Sequence, residues 1–508
     1  MLPIEQFWRA AARFPDRTAV IHPQGEVRFH ALAARVRSVA AALQALAPSD
    51  GGRVAIGASN SFEHLVALLA TLASGKIWVP LNPRAGAPDL RRILEFTTPD
   101  IVIVDDALAS RLGEIPGRRV LLEGGGSDAL SLLVDRHGGT PLRPVLRALS
   151  DVQAIKFTGG TTGTPKGVMQ SCRAWNTMIA NQLYAFGFNE ADRFMVSAPL
   201  THGSSTYMLP ILGTGGCLVF PEQTRPGAML DTIERHRVTT LFVPPVLVHS
   251  LVTENAVLGR DTSSIRNLIY GAAPMEAKRI DEAIAAFGPV LATTYGQTEA
   301  PQIISCLPAS ELAQPANRAS VGRASLLTVV AIDTSEGPAT QAGAEGEILV
   351  RGDLVMNGYW QQPEKTAQTI VDGWLHTGDI GAFDERGFLF IKGRNSDVII
   401  TGGFNVYPSD VEAALMLHPA VQECCVLGIP DDKWGEAVHA AVTLRPGAAP
   451  SPDSLISFLK QQVGSVLAPK EIHFFDALPR TAVDKISKLD LRSAIAAGAA
   501  ARAANKGQ

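Results

Sequence analysis

Short apolar runs alternate with longer amphipathic segments from about residue 53 to residue 294. Runs at Arg53 to Gly57, Ile77 to Leu81 and Ile101 to Val104 predict strands, and Phe62 to Ala73 and Leu90 to Phe96 predict the helices between them. The alternation resumes later, with strands expected at Arg193 to Ser197, Gly216 to Phe220, Thr240 to Val243 and Asn267 to Tyr270, and helices at Gly227 to Arg237 and Met275 to Phe287. This pattern predicts an α/β fold of parallel sheets covered by helices.

The pattern changes beyond about Ser320 and again after Arg394. Strands at Leu327 to Ile332, Gly346 to Arg351 and Gly387 to Gly393, without long helices, indicate a small β subdomain. The last part indicates a compact α+β unit, with strands at Val398 to Thr401, Val421 to Leu427 and Val438 to Leu444, and helices at Ser409 to Leu417 and from Asp453. The Ala-rich end, Ala494 to Gln508, is either a fraying helix or a disordered tail.

The length of 508 residues exceeds what one compact core supports. We expect a domain over residues 1–393, with its β subdomain at about 320–393, and a second domain over 394–508. A net charge of -4 gives no broad attraction to nucleic acid or to anionic membranes, so small-molecule partners are expected. The five cysteines form no metal-binding pattern, and no run reaches roughly 18 apolar residues. Because the first residues lack a basic region followed by an apolar one, we expect no secretion leader. A reduced, cytoplasmic protein without a membrane span is expected.

A loop rich in glycine and threonine, Thr158 to Gly167, is the strongest chemical signal in the chain. Four hydroxyls and three glycines precede Lys166, which is a combination suited to binding phosphate. Proline before Lys166 and glycine after it exclude the Walker A motif, so a P-loop ATPase is disfavoured. Taken alone, a loop of this composition is more often a polar surface turn, and the segments that follow reverse this preference.

Three further segments carry polar groups suited to a nucleotide. Tyr295-Gly296-Gln297-Thr298-Glu299 follows an apolar run and offers an aromatic ring for adenine and a carboxylate for magnesium. Asp379 lies in an irregular section where a carboxylate can accept the ribose hydroxyls, and Lys485 follows a proline-started loop in the second domain. Each of these has an ordinary alternative, as a turn residue or a surface lysine.

In this order the segments resemble the adenylate-forming superfamily of acyl-CoA and aryl-CoA synthetases, luciferases and peptide-synthetase adenylation domains. The resemblance covers nearly the whole chain and implies a large N-terminal domain of βα subdomains with a small β-barrel-like subdomain, followed by a small mobile α+β domain. It implies catalytic roles for Lys485, Glu299 and Thr162, and magnesium binding by Glu299. The ATP- and AMP-binding residues that it implies are Thr158, Gly159, Thr161, Thr162, Gly163, Lys166, Gly271, Ala272, Ala273, Tyr295, Gly296, Thr298, Asp379 and Arg394.

The resemblance also implies a substrate pocket, a coenzyme A site and a hinge. The pocket would comprise His202, Gly203, Ser204, Tyr207, Met208, Tyr270, Thr294 and Ile303. Because the pocket positions hold no arginine or lysine, a second substrate carboxylate is not expected. An aryl acid is favoured slightly over a medium-chain fatty acid, because Ser204, Ser205 and Thr206 could contact a ring substituent. His202 is either a wall beside the substrate carboxylate or a hydrogen-bonded structural histidine. Gly402, Gly403 and Trp434 would contact coenzyme A, and Ser396 would be the hinge.

Some positions depart from the family pattern. Ser396 stands where aspartate or lysine is usual, Asp484 replaces a glycine before the lysine, and Val466-Leu467 replaces a tyrosine-lysine pair. The resemblance implies an ATP-dependent carboxylic acid:CoA ligase, using ATP, Mg²⁺ and coenzyme A, as a monomer or homodimer. Two alternatives stay open: an adenylating enzyme that loads a separate carrier protein, and an inactive nucleotide-binding regulator. Retention of Glu299, Asp379 and Lys485 argues against the regulator.

Overall fold

The computed structural model describes residues 1–123, 129–137, 140–157, 165–402, 404–431, 433–480 and 486–506. Its mixture of helices and strands confirms the expected α/β class. The helices are α1 Glu5–Arg13, α2 Phe29–Leu46, α3 Phe62–Ala73, α4 Ala87–Thr97, α5 Asp106–Leu112, α6 Leu130–His137, α7 Cys172–Phe186, α8 Gly203–Gly213, α9 Pro226–His236, α10 Pro245–Leu258, α11 Ala277–Phe287, α12 Ala309–Leu312, α13 Pro363–Thr369, α14 Pro408–Met416, α15 Pro452–Leu467 and α16 Lys488–Lys506.

The strands include the apolar runs expected from the sequence and several shorter ones. They are β1 Thr18–His22, β2 Gly25–Arg28, β3 Arg53–Gly57, β4 Ile77–Pro80, β5 Ile101–Val104, β6 Arg118–Leu121, β7 Val152–Phe157, β8 Gly167–Ser171, β9 Arg193–Met195, β10 Cys217–Val219, β11 Thr240–Val243, β12 Asn267–Tyr270, β13 Leu291–Tyr295, β14 Ser305–Leu307, β15 Arg323–Ala324, β16 Val329–Ile332, β17 Glu345–Arg351, β18 Gly358–Tyr359, β19 Ile370–Val371, β20 Trp374–Phe383, β21 Leu389–Arg394, β22 Ile399–Thr401, β23 Phe404–Val406, β24 Val421–Asp431, β25 Gly435–Leu444 and β26 Glu471–Phe474.

The chain divides into two compact units. The first comprises residues 1–331, 349–377 and 385–389, and the second comprises residues 332–348, 378–384 and 390–508. Strands β16, β17, β20 and β21 each contribute residues to both units.

Two large sheets form the first unit. One has nine strands in the order β15-β14-β13-β12-β11-β9-β10-β1-β2, and its central pairs from β13 to β1 are parallel. The other has seven strands in the order β18-β8-β7-β4-β3-β5-β6, in which β7, β4, β3, β5 and β6 are parallel neighbours. Their central strands are buried on both faces, as strands covered by helices must be.

The second unit contains an α+β module around a sheet in the order β23-β22-β25-β24, with β26 parallel to β25. Helices α14 and α15 cover one face, where Val438, Ala440 and Val442 of β25 join a buried apolar cluster. The Ala-rich end extends α16 to Lys506. Among the described residues, no helix combines the length and the apolar character needed to cross a bilayer.

Candidate active site

The carboxyl ends of neighbouring strands β12 and β13 bring two predicted site segments together. The strands are parallel, with Tyr270 paired with Thr293, so the loops that follow them leave the same edge of the sheet. Ligands of open α/β sheets bind at such an edge. Gly296 needs to be glycine, because a Cβ there would lie 2.4 Å from the backbone carbon of Gln302. Ala272 adopts a φ of +69°, a left-handed conformation that non-glycine residues rarely keep outside constrained sites.

Glu299 is held by a residue that comes much later in the chain. The hydroxyl of Tyr359 donates a hydrogen bond of 2.9 Å to Oε1 of Glu299. Burial and the neighbouring carboxylate both raise the pKa of Tyr359, which keeps this hydroxyl protonated as the donor. The backbone nitrogen of Met356 also donates to the carbonyl of Glu299, at 2.8 Å. The Glu299 carboxylate is therefore oriented and partly exposed to solvent.

One lysine lies close to this carboxylate and to a second lysine. Lys365 of α13 lies near both Lys166 and Glu299, and partial burial together with the like charge of Lys166 lowers its pKa. Its Nζ is 5.7 Å from the ring centre of Tyr359. Two neighbouring ammonium groups repel each other unless an anion lies between them. The two lysines are therefore suited to binding a phosphate group, and the Glu299 carboxylate to binding the metal ion that accompanies it.

Gln297 and Thr298, which precede Glu299, form hydrogen bonds with residues distant in sequence. Gln297 Nε2 donates to the carbonyl of Thr377 at 2.9 Å. Gln170 Nε2 of β8 donates to the carbonyl of Thr298 at 2.8 Å, while its Oε1 accepts from Trp175 Nε1 at 3.1 Å. The seven-stranded sheet thus positions the loop that follows β13.

Helix α8 carries most of the predicted substrate-pocket segment. Tyr207 is fully buried and stacks against Phe194 and Phe242, with ring centres 5.2 and 5.3 Å away. Its hydroxyl accepts a hydrogen bond of 3.2 Å from Gln302 Nε2. The other apolar or small members of the predicted pocket are also buried, namely Ser204, Met208, Tyr270, Thr294 and Ile303. Gly203 lies against the Phe242 ring, where a Cβ would approach within 2.7 Å.

His202 immediately precedes α8. Its Nδ1 is 2.9 Å from Thr201 Oγ1, and its carbonyl accepts from Ser205 Oγ at 2.8 Å. Burial, with a smaller contribution from Lys156, lowers the pKa of His202 to about 4, so the imidazole is neutral at physiological pH. The hydrogen bond to Thr201 leaves the structural and the pocket-wall interpretations of His202 both open.

Lys156 of β7 reaches this segment, and the sequence reasoning missed it. Its side chain is buried, and Nζ lies 3.3 Å from Ser205 Oγ. Burial lowers the pKa of Lys156 to about 7. The expectation that the pocket binds no second carboxylate rested on the segment before and within α8 and on positions near Tyr270, Thr294 and Ile303, whereas Lys156 comes from a strand some fifty residues before α8. The one local indication that Lys156 is buried is the apolar character of its neighbours in β7.

The second unit holds the predicted ribose residues. Asp379 is buried, and its Oδ1 lies 3.1 Å from Nε of the exposed Arg394. The adjoining Gly378 has a φ of +72°, and its backbone nitrogen donates to Glu347 Oε1 at 2.7 Å. The two predicted residues are thus neighbours in space.

The predicted coenzyme A residues of this unit also meet. The backbone nitrogen of Gly402 donates to the carbonyl of Trp434 at 2.8 Å, and a Cβ on Gly402 would lie 3.0 Å from the indole. Trp434 is 38% exposed, and the Nζ atoms of Lys433 and Lys470 lie 4.8 and 5.1 Å from its ring centre. An exposed aromatic ring flanked by two ammonium groups suits a phosphate-bearing ligand.

The predicted hinge is an exposed turn. Ser396 lies in a short 3-10 helix over Asn395–Asp397, and Asp397 forms a salt bridge of 2.8 Å with Lys488. Arg480 and Ile486, on either side of the predicted catalytic segment, pair as an isolated β-bridge. Lys485 itself lies outside the described residues, as do Thr158, Gly159, Thr161, Thr162, Gly163 and Gly403.

The chain belongs to the AMP-binding enzyme family. The model of that family matches residues 7–360, and the model of its C-terminal domain matches residues 410–485. The medium/long-chain-fatty-acid–CoA ligase FadD8 of Mycobacterium tuberculosis is 35% identical over 92% of this chain and 86% of its own length. Feruloyl-CoA synthase of an Amycolatopsis species is 33% identical, covering 95% and 97% respectively. The amide bond synthetase McbA of Marinactinospora thermotolerans has a similar structure, with a TM-score of 0.88 and 30% identity over 97% of this chain and 99% of that one.

Proposed function

We propose that this protein is an ATP-dependent carboxylic acid:CoA ligase that forms an acyl-adenylate and then a thioester. The observation that carries the proposal is the oriented Glu299 carboxylate near Lys365, which also lies beside Lys166, at the carboxyl edge of a parallel sheet. This arrangement suits a triphosphate, and the relatives named above activate carboxylic acids as CoA thioesters. An aryl or medium-chain monocarboxylic acid is the proposed substrate class, since buried apolar side chains surround the α8 segment.

In the first step a carboxylate oxygen attacks the α-phosphorus, and the bond to the β-phosphate oxygen breaks to release pyrophosphate. Both reactants are anionic, so cations must bring them together. Glu299 fits Mg²⁺, because an oriented carboxylate oxygen is a ligand that this ion prefers. When bound, the ion would neutralise phosphate charge. We propose that Lys166 and Lys365 hold the phosphates and that Lys485 approaches the reacting carboxylate and the α-phosphate.

In the second step the coenzyme A thiol attacks the acyl carbonyl, and AMP leaves with the oxygen contributed by the acid. We propose that residues 394–508 form a domain that moves about Ser396, so that Lys485 serves the first step and Gly402 and Trp434 serve the second. The ion pair of Asp379 with Arg394 supports a ribose-binding role for both. A cytoplasmic location agrees with the five free cysteines.

A panel of carboxylic acids assayed for pyrophosphate release, with and without coenzyme A, tests this function. We expect release to require an acid, and coenzyme A to convert the adenylate into acyl-CoA and AMP. Lys485→Ala is the control for background hydrolysis, because it should remove the acid-dependent release. ATP turnover to ADP and phosphate would contradict the proposal.

A carrier-protein thiol is the second candidate acceptor. The structural similarity to an amide bond synthetase indicates that this fold also serves acceptors other than coenzyme A. Acid-dependent pyrophosphate release without acyl-CoA formation would favour such an acceptor. An amine and a phosphopantetheinylated carrier protein, supplied separately, would then identify its class.

A further inference from the structure

The ammonium of Lys156 lies where three elements of the first unit meet. It is 4.8 Å from the ring centre of Trp78 on β4 and 5.7 Å from that of Trp175 on α7. Ser205 of α8 supplies an oxygen at 3.3 Å. The side chain is only 8% exposed, so water satisfies little of it.

Within the cluster formed by Lys156, Trp78, Trp175 and Ser205, some hydrogen-bond donors have no acceptor among the described residues. A lysine ammonium has three donors, and Ser205 provides an acceptor for one while donating its own hydrogen to the carbonyl of His202. In the described part of the chain, Lys156 forms no salt bridge with a carboxylate. Trp78 Nε1, on the ring that the ammonium faces, is also buried without a hydrogen-bond partner among the described residues. The cluster is therefore rich in donors and short of acceptors.

A purely structural role explains this arrangement poorly. Packing between two tryptophans and a helix is satisfied by an apolar side chain of the same length, and a buried unpaired cation is unfavourable. Contact with the tryptophan faces offsets only part of that penalty. Buried polar groups that have no partner within the protein are typical of sites where a bound ligand supplies the partner.

We propose that Lys156 is a specificity-determining residue, which selects carboxylic acids bearing a second acceptor oxygen on the body of the molecule. An anionic oxygen, in a phenolate or a second carboxylate, would satisfy the ammonium best. This inference rests on the proposed function and names the substrate class of the same site. It also reverses the expectation that a second substrate carboxylate is excluded.

Discrimination follows from the buried donors. An acid without the second oxygen leaves the ammonium desolvated and unpaired, and sites built to bind a polar group reject analogues that lack it by large factors. The rings of Tyr207 on α8 and Phe242 on β11, stacked at 5.3 Å, supply apolar surroundings for the rest of the acid.

Matched pairs of acids test the proposal: cinnamate with para-hydroxycinnamate, and octanoate with suberate. We expect the wild-type kcat/KM, from pyrophosphate release, to favour the oxygen-bearing member of at least one pair by about tenfold or more. Lys156→Met should abolish that preference, with the loss of kcat/KM confined to the oxygen-bearing acid and without a rise in the KM for ATP.

Lys76→Met is the matched control, since Lys76 is likewise buried but donates to the carbonyl of Ser49, away from α8. It should leave the preference intact. A preference that survives in an active Lys156→Met enzyme would overturn the proposal. So would an equal loss toward every acid, or a raised KM for ATP, because either would assign Lys156 to the nucleotide or to folding. If the wild type activates no acid in the wider panel, the proposed function fails, which is a separate result.

Discussion

Replacing Lys156 by methionine should stabilise the protein at neutral and mildly acidic pH. Methionine keeps the length and volume of the side chain and removes its charge. Burial lowers the pKa of Lys156 from 10.5 to about 7. At about 1.4 kcal/mol for each pKa unit, the buried ammonium costs roughly 4 kcal/mol at neutral pH. The contacts of Nζ with Trp78 and Trp175 return roughly 1 to 2 kcal/mol of this. The variant should therefore gain about 2 to 3 kcal/mol.

The stability difference between Lys156→Met and the wild type should depend on pH. The folded-state pKa lies below the unfolded one, so between about pH 7 and pH 10.5 the unfolded chain binds more protons and stability rises with pH. The destabilisation of the wild type by the buried charge therefore decreases as the pH rises from about 7 to about 10.5. The advantage of Lys156→Met should be largest near pH 6.5 and fall to roughly 1 kcal/mol near pH 9.5.

Thermal unfolding of wild type, Lys156→Met and Lys76→Met at both pH values measures this. Lys76→Met should gain less than Lys156→Met, because it also loses the hydrogen bond from the ammonium to the carbonyl of Ser49. A lower midpoint for Lys156→Met near pH 6.5 would refute the reasoning. An advantage of equal size at both pH values would refute it as well, because the gain would then come from packing rather than from charge.

Three other changes test the proposed machinery. Glu299→Gln should lower kcat/KM for adenylation by about a hundredfold, and should weaken the dependence of the rate on Mg²⁺ in a titration of pyrophosphate release. Lys365→Met should raise the KM for ATP by roughly tenfold with a smaller change in kcat, since one phosphate contact is lost while Lys166 remains; an unchanged KM would remove Lys365 from the site. Ser396→Pro should stiffen the hinge, so that single-turnover kinetics show adenylation retained and thioester formation slowed, whereas equal losses in both steps would count against the hinge.

The local pattern of the chain predicted the central strands and helices closely. Helix α3 begins and ends where the apolar run predicts, and the side chain of Ser61 caps it by accepting from the backbone nitrogen of His64. Strands β3, β5, β11 and β12 also have their predicted bounds. These elements are short apolar runs bounded by polar residues, so local composition suffices to define them.

Elements defined by distant partners were not predicted. Strand β1 is parallel to β10, with Val20 paired with Leu218, and it also forms an antiparallel pair with β2. The predicted alternation begins only at Arg53 and leaves these strands out. No local period reveals that a strand near the start of the chain completes a sheet two hundred residues later.

Likewise, some residues of the candidate site could be predicted from the sequence and others could not. Glu299 and Lys166 belong to contiguous motifs, so sequence alone proposed them. Tyr359 lies 60 residues from Glu299 in sequence, and Lys156 lies 49 residues from Ser205. Neither pair has a characteristic spacing, because the sheets and helix α8 bring them together only after folding.

The central claim is that the acid attacks the α-phosphate and leaves its oxygen on AMP. An acid labelled with heavy oxygen in its carboxylate, incubated with ATP and coenzyme A, tests this directly by mass spectrometry of the products. The account predicts one labelled oxygen in each AMP released and none in pyrophosphate. Label in inorganic phosphate, or AMP that carries no label while thioester accumulates, would contradict it.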